Sequence, residues 1–243
     1  MKRIALLLVF LLAILGIAVR AASSLQTFFP IIERPVSTPT PTLTPVPTPT
    51  PIPLDVQILP NDSHYVDSID YLNVVGEVLN NTSYDLSFVE ITATFFNASG
   101  QPVDHGSAYI YLEDLPAWGY TCFEISVPVP SGWAYYQFEA PTYYTDGHPL
   151  PNLTILNDGG SYDPTFGSYD ITGDVRNDEQ VRVTFVSPVA TLYNNLGKVV
   201  GCDSTYVDST NLAPGQISSF DITFFSRDYS DVTFYRLQVD AKP

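Results

Sequence analysis

The sequence predicts an all-β protein: two tandem antiparallel β-sandwich domains set behind an N-terminal hydrophobic helix and a Pro/Thr-rich linker. Three observations carry this. Apolar and polar residues alternate with period two in many short runs, the mark of strands with one face on a core. Those runs recur at short intervals and are broken by Asn, Asp, Gly and Pro clusters, as in sandwiches. Finally, shifting the chain by 97 positions aligns residues 54–125 with 151–222 without a gap, and 18 of the 72 aligned positions are identical.

Residues 1–22 form the first element. After Met1-Lys2-Arg3 the chain runs from Ile4 to Val19 without a charge before Arg20. Sixteen apolar residues fall between the core of a cleavable signal peptide and a membrane-spanning helix. A signal peptide cleaved near Ala21 and an uncleaved signal-anchor are both expected readings, and both place the rest of the chain outside the cytoplasm because Lys2 and Arg3 outweigh Arg20. The chain is then either tethered to the cytoplasmic membrane by this helix or secreted.

Residues 23–53 form the second element, an extended stalk without a core. From Pro35 to Pro53 there are eight prolines and six threonines in 19 residues. Proline fixes its own φ and restricts the residue before it, so the segment is expected to run as polyproline II, roughly 60 Å long at about 3.1 Å per residue.

The β-rich units cover residues 54–148 and 149–243. In the first, Val89, Ile91, Ala93 and Phe95 point one way while Glu90, Thr92 and Thr94 point the other. Phe123, Ile125 and Val127 alternate with Glu124 and Ser126, and the second unit repeats this with Phe220, Ile222 and Phe224. Among the aligned identities are Gly76-x-Val78-x-Asn80 with Gly173-x-Val175-x-Asn177, Phe88-Val89 with Phe185-Val186, Gly100 with Gly197, and Tyr109 with Tyr206. The turn Asn194-Asn195-Leu196-Gly197 calls for positive φ at Gly197. Pro188, inside a strand pattern, predicts an edge strand or a bulge there.

Gly-x-Val-x-Asn, an alternating strand ending in "ATLYNNLGKVV", Leu212-Ala213-Pro214-Gly215 and Phe220-Asp221-Ile222 together resemble the FxLYD domain of exported bacterial and archaeal proteins. The namesake motif is partial: Leu192-Tyr193 match, Ala190 stands for Phe and Asn194 for Asp. The resemblance implies an immunoglobulin-like β-sandwich in an extracytoplasmic setting, and it brings no catalytic residues with it.

Charge narrows the partners. The formal net charge is -16, which argues against nucleic acid or an anionic surface as ligand. From Leu54 to Leu150 there are 13 acidic residues and no Lys or Arg, whereas Pro151–Pro243 holds 12 acidic and six basic residues. Carboxylates of the first unit must therefore look to solvent, backbone amides or a bound cation.

No nucleophile elbow, phosphate-binding loop or metalloprotease motif occurs, and no enzyme is expected; an unfamiliar Asp/Glu pair would reveal itself as carboxylates converging in a cleft. The expected role is a non-catalytic structural or interaction module of the cell surface, with an envelope protein or a glycan as partner. A carbohydrate-binding alternative rests on a dense aromatic stretch at one end of the first unit, with Trp118, Trp133, Tyr135, Tyr143 and Tyr144 as candidates; the same rings would also serve to fill the junction between the units. A second alternative, weak Ca²⁺ binding by an adhesion module, rests on acidic loops at corresponding places in the two units. Asp62, Asp67, Asp158 and Asp163 are the candidate ligands, although Asp, Asn, Ser and Gly are equally the residues of turns. Otherwise no cofactor is expected. Cys122 and Cys202 have Ser219 and His105 as their counterparts, so a bond between them would join the units rather than repeat within each; buried free thiols are the alternative. By loop entropy such a bond is worth roughly 4 kcal/mol.

Overall fold

The inward positions of each alternating run become the interior of facing antiparallel sheets, and the described residues are all-β. A computed structural model describes residues 55–242; the expected signal or anchor and the stalk lie outside them. Among the described residues no helix is long and apolar enough to cross a membrane.

The first half holds β1 (Val56–Ile58), β2 (Ser63–Val66), β3 (Tyr71–Asn80), β4 (Leu86–Asn97), β5 (Pro102–Tyr109), β6 (Asp114–Leu115), β7 (Tyr120–Pro128), β8 (Trp133–Phe138) and β9 (Thr142–Tyr144). The second holds β10 (Leu153–Asp163), β11 (Ser168–Asn177), β12 (Thr184–Asn194), β13 (Val199–Ser204), β14 (Ile217–Phe224) and β15 (Val232–Lys242). In one sheet of the first half β3 pairs with β1 and β2 along one edge and with β7 along the other; in the second half β11 pairs with β10 and β14 in the same way. The other sheets are built on β4, flanked by β5 on one side and β8 and β9 on the other, and on β12, flanked by β13 and β15. The repeat in sequence is thus a repeat in strand pairing. Even the short Leu86↔Leu115 pairing recurs as a bridge between Val183 and Leu212.

The repeated residues have repeated structural tasks. A Cβ on Gly76 would lie 2.7 Å from the Phe123 ring, and one on Gly173 would lie 2.8 Å from the Phe220 ring, so each glycine makes room for the phenylalanine across the ladder. Asn80 and Asn177 are buried, and each holds two loops together. The Asn80 Nδ2 donates to the carbonyls of Tyr84 (2.7 Å) and Pro116 (2.9 Å); the Asn177 Nδ2 donates to those of Val181 (2.9 Å) and Leu212 (2.8 Å). At the hairpins, Gly100 and Gly197 take φ of 78° and 70°, and the Asn97 and Asn194 side chains cap the turn amides.

Each half has its own core. In the first, Leu72, Val74 and Val78 of β3 meet Ile91, Ala93 and Phe95 of β4; in the second, Ile171 and Val175 of β11 meet Ala190 and Leu192 of β12. β3 and β12 depart furthest from simple alternation. Along β3 burial runs unbroken from Leu72 to Val78, and along β12 from Pro188 to Tyr193. Both strands are covered on two faces, the pattern of a sheet packed between layers. Pro188 accordingly lies in a central strand rather than at an edge; the register shift between Thr184 and Ser187 sits just before it, so the bulge is present and the edge is not.

Candidate functional site

The second faces of β3 and β12 bring the two halves together. Val75 packs with Tyr193 and Val199, and Val189 and Cys202 of the second half join the first half's core. Cys122 and Cys202 are linked by a disulfide with their Cα atoms 5.9 Å apart. At the centre stands Glu77, whose side chain is only 3% exposed. It accepts from the Tyr193 hydroxyl at 2.5 Å, from Arg236 at 3.2 Å and from Asn61 at 2.6 Å. Arg236 also lies over the Tyr120 ring, 4.3 Å from its centroid. Main-chain and side-chain bonds extend the junction: Val199 N donates to Asn61 O (2.8 Å), Gln238 to Tyr120 O (2.6 Å), and the Ser63 hydroxyl to Val199 O. Lys242 meets Glu113 at 2.7 Å. Two carboxylates of a half with no Lys or Arg thus take their cations from the other half, which corrects the expectation that solvent, amides or a bound ion must serve them.

Carboxylates also line a pocket of about 280 Å³ beside the disulfide, where Glu124 and Asp203 face Tyr111, Cys202 and Ser226. Burial pushes Glu124 up to about 7, with the negative charges of Asp203 and Asp67 adding to it and a hydrogen bond from the Tyr65 hydroxyl (3.0 Å) opposing it. Burial also raises Asp203.

The aromatic candidates do not form one platform. Trp133 and Tyr135 on β8 pair with Asn97 and Phe96 at one end of β4, whereas Tyr144 on β9 pairs with Ser87 at the other; the nine residues between span roughly 30 Å of strand. Trp133 is half-buried, edge-on to His64 and Phe95, and Tyr135 stacks on Phe96 at 5.2 Å. Tyr143 packs on the first half's core and donates to Asp55 at 2.8 Å. Trp118 stands exposed in a turn with φ 61°. The junction between the halves is filled by β2, β3, β7, β12, β13 and β15 and not by this aromatic stretch.

The acidic candidates are similarly dispersed. Asp62 accepts from the Tyr136 hydroxyl (2.5 Å) and Asp158 from that of Tyr235 (2.8 Å). Asp67 caps the amides of Ile69 and Tyr71, which holds its carboxyl below the usual range, and Asp163 caps Thr165. Among the described residues no group of three or more metal-ligating side chains converges.

Another aromatic set, Phe88 with Tyr109 and Phe185 with Tyr206, was visible in the sequence only as identities within the repeat. Phe88 and Phe185 hold left-handed backbones, φ 50° and 54°, at register shifts in β4 and β12. The Phe88 ring meets Tyr109 and Tyr144 edge to face at 6.3 and 6.0 Å. Phe88 and Tyr109 line a cleft of about 370 Å³.

No protein-family model matches the chain, and no curated protein matches it. Among solved structures, red sea bream transglutaminase aligns at 10% identity and TM-score 0.24, covering 76% of this chain and 29% of its own. The exo-chitosanase of Amycolatopsis orientalis aligns at 14% identity and TM-score 0.26, covering 74% and 25%. The chain spans less than a third of the length of these structures.

Proposed function

We propose that the chain is a non-catalytic interaction module of the cell exterior, in which two immunoglobulin-like, FxLYD-type sandwiches are held as one rigid body and carried away from an N-terminal anchor or signal by the Pro/Thr stalk. The observation that carries this reading is the junction between the halves. A disulfide, a buried carboxylate with three donors and a shared apolar core fix the two halves against each other, so what the chain offers a partner is a fixed composite surface rather than two swinging domains. Glu124 and Asp203 are read as part of that junction rather than as an acid–base pair, since Glu124 already accepts the Tyr65 hydroxyl and Cys202 of the disulfide lines the same pocket. An extracytoplasmic location accords with a structural disulfide.

The test has two parts. A membrane-impermeant biotin reagent applied to intact cells should label residues 54–243 of the displayed or released chain, and purified 54–243 should bind saturably to cells that lack it. Protection from the reagent until lysis would overturn the location, and the absence of saturable binding would overturn the role.

A further inference from the structure

We propose that a groove running across both halves, from Phe88 and Tyr109 to Phe185 and Tyr206, is a docking site for an extended, arginine-bearing segment of a partner protein. This rests on the reading of the chain as an interaction module and names the surface and the partner's chemistry.

Both repeats keep backbone strain here without structural need. An L-residue in the left-handed region bears a steric strain that glycine would not. Phe88 and Phe185 both do so, and neither ring enters a core: they are 64% and 59% exposed, and Tyr109 and Tyr206, which line the same clefts, are 59% and 60% exposed. The bulge at each site requires a left-handed residue but not an aromatic one. Glycine occupies other left-handed turn positions of this chain, such as Gly100 and Gly197. That both repeats place an exposed phenylalanine there, with an exposed tyrosine at the matching place on the neighbouring strand or just beyond it, points to work done by the rings themselves.

The groove is also continuous. The cleft beneath Phe88 and Tyr109 is floored by Val89 and Leu112, and the one beneath Phe185 and Tyr206 holds about 460 Å³. Ile110 and Glu113 line both, so the two clefts adjoin. A segment that reaches from one aromatic pair to the other must be extended and must meet both halves, which their fixed relation allows without a cost of ordering. On the first side Phe88 is braced by Tyr109 and Tyr144, so its ring is held ready in the free protein.

The groove is acidic as well. Glu113, Asp114, Asp146 and Asp240 line this groove. Against four carboxylates stand Lys242, already paired with Glu113, and His148, 3.5 Å from Asp114. Asp146 accepts from the Ser87 hydroxyl (2.5 Å) and Asp240 from the Glu113 amide (2.6 Å), and neither bond brings a cation. The acidic excess rejects anionic ligands and favours a cation. Of the cationic groups a polypeptide can bring, guanidinium suits both features at once: its plane stacks on an aromatic face while its N–H fork meets a carboxylate.

The experiment uses residues 54–243 with the disulfide intact. A fluorescein-labelled decapeptide with two arginines separated by small neutral residues is titrated by anisotropy, beside the same peptide with citrulline for arginine and a neutral hexose oligosaccharide. Binding of the arginine peptide is expected, weakened roughly tenfold or more with citrulline, as fits the loss of a cation–π contact and an ion pair. Phe88→Gly and Phe185→Gly remove the ring while suiting the backbone, so each should keep or raise the melting temperature and weaken binding roughly tenfold. Tyr109→Ala is a second ring deletion at a residue of ordinary backbone, and it should weaken binding in the same way. Binding that survives both glycine variants would mark general attraction to an acidic protein and overturn the proposal; so would the absence of peptide binding, or binding of the oligosaccharide in its place. Failure here would leave the surface-labelling result untouched, so the two readings fail separately.

Discussion

Glu77 shows how one side chain can hold two halves of a protein. It is buried among three donors, one from its own half and two from the other. Burying a carboxylate is unfavourable unless hydrogen bonds and a cation replace its water, and removing one member of such a set leaves the others unpaired. Arg236 is partly exposed, at 42% of its side chain, and can turn to solvent when its partner goes; the Tyr193 hydroxyl and the Asn61 amide have less freedom. Glu77→Ala is therefore expected to cost about 3 kcal/mol, the lower end of the range for a broken buried pair, and Tyr193→Phe about 1 kcal/mol, one hydrogen bond. Urea unfolding of the two variants and their double mutant checks this. Additive losses would mean that the Glu77–Tyr193 contact contributes little beyond its separate surroundings.

At the scale of the element, the recurring Gly-x-Val-x-Asn is a strand's local instruction set. Glycine admits the ring across the ladder, valine enters the core and asparagine holds the following loops. Asn177→Ala would take a donor from the Val181 carbonyl and the acceptor from the Glu179 amide, while the Leu212 carbonyl keeps the Val183 amide; it is expected to cost about 2 kcal/mol, at about 1–3 kcal/mol for leaving buried groups unsatisfied. Asn80→Ala should cost a similar amount, and thermal unfolding of the pair would show it; a neutral result at either would mean that water replaces the amide. Much of this was legible in advance: period-two alternation, the repeat and the glycine hairpins all follow from side-chain parity and backbone freedom. The site was less so. In "LNVVGEV" of β3 the second face is Asn73, Val75 and Glu77, which reads by parity as a solvent face, and nothing in one sequence says that the other half covers it. Phe88 is recognisable from parity as outward-facing, yet its left-handed φ lies at a bulge in the pairing of β4 with β9, which parity does not reveal. Trp133 and Tyr144 are near in sequence and at opposite ends of β4 in space, because β8 and β9 dock on successive stretches of one strand.

Across the whole molecule the halves meet head to tail: the sheet of β3 in the first packs on the sheet of β12 in the second, so each half leaves free the face that its counterpart uses. Such packing can propagate into filaments unless the free faces differ. They do differ, and at the positions where the repeat fails. Val75, Glu77 and Cys122 of the junction correspond to Thr172, Asp174 and Ser219, and Val189, Tyr193 and Cys202 to Thr92, Phe96 and His105. Reducing the Cys122–Cys202 bond, which closes 80 residues, should lower stability by about 4 kcal/mol. Glu124 has an ordinary value of 4.5 and is raised to about 7 in the folded chain, chiefly by burial. Between these values the folded state holds more protons than the unfolded one, so this group's stabilisation is complete below about 4.5, falls as pH rises and is lost above about 7. Asp203 and Asp240, also raised by burial, act in the same direction, whereas Asp67, held low by backbone amides, contributes stability that is lost only in stronger acid. Glu124→Gln keeps the shape and a neutral group. It should gain on the native chain as pH rises from 5 to 8, by about 2 kcal/mol after allowance for partial solvent access. Chemical denaturation across that range measures the difference, and parallel pH profiles for the two proteins would show that Glu124 is not the group that titrates at the junction.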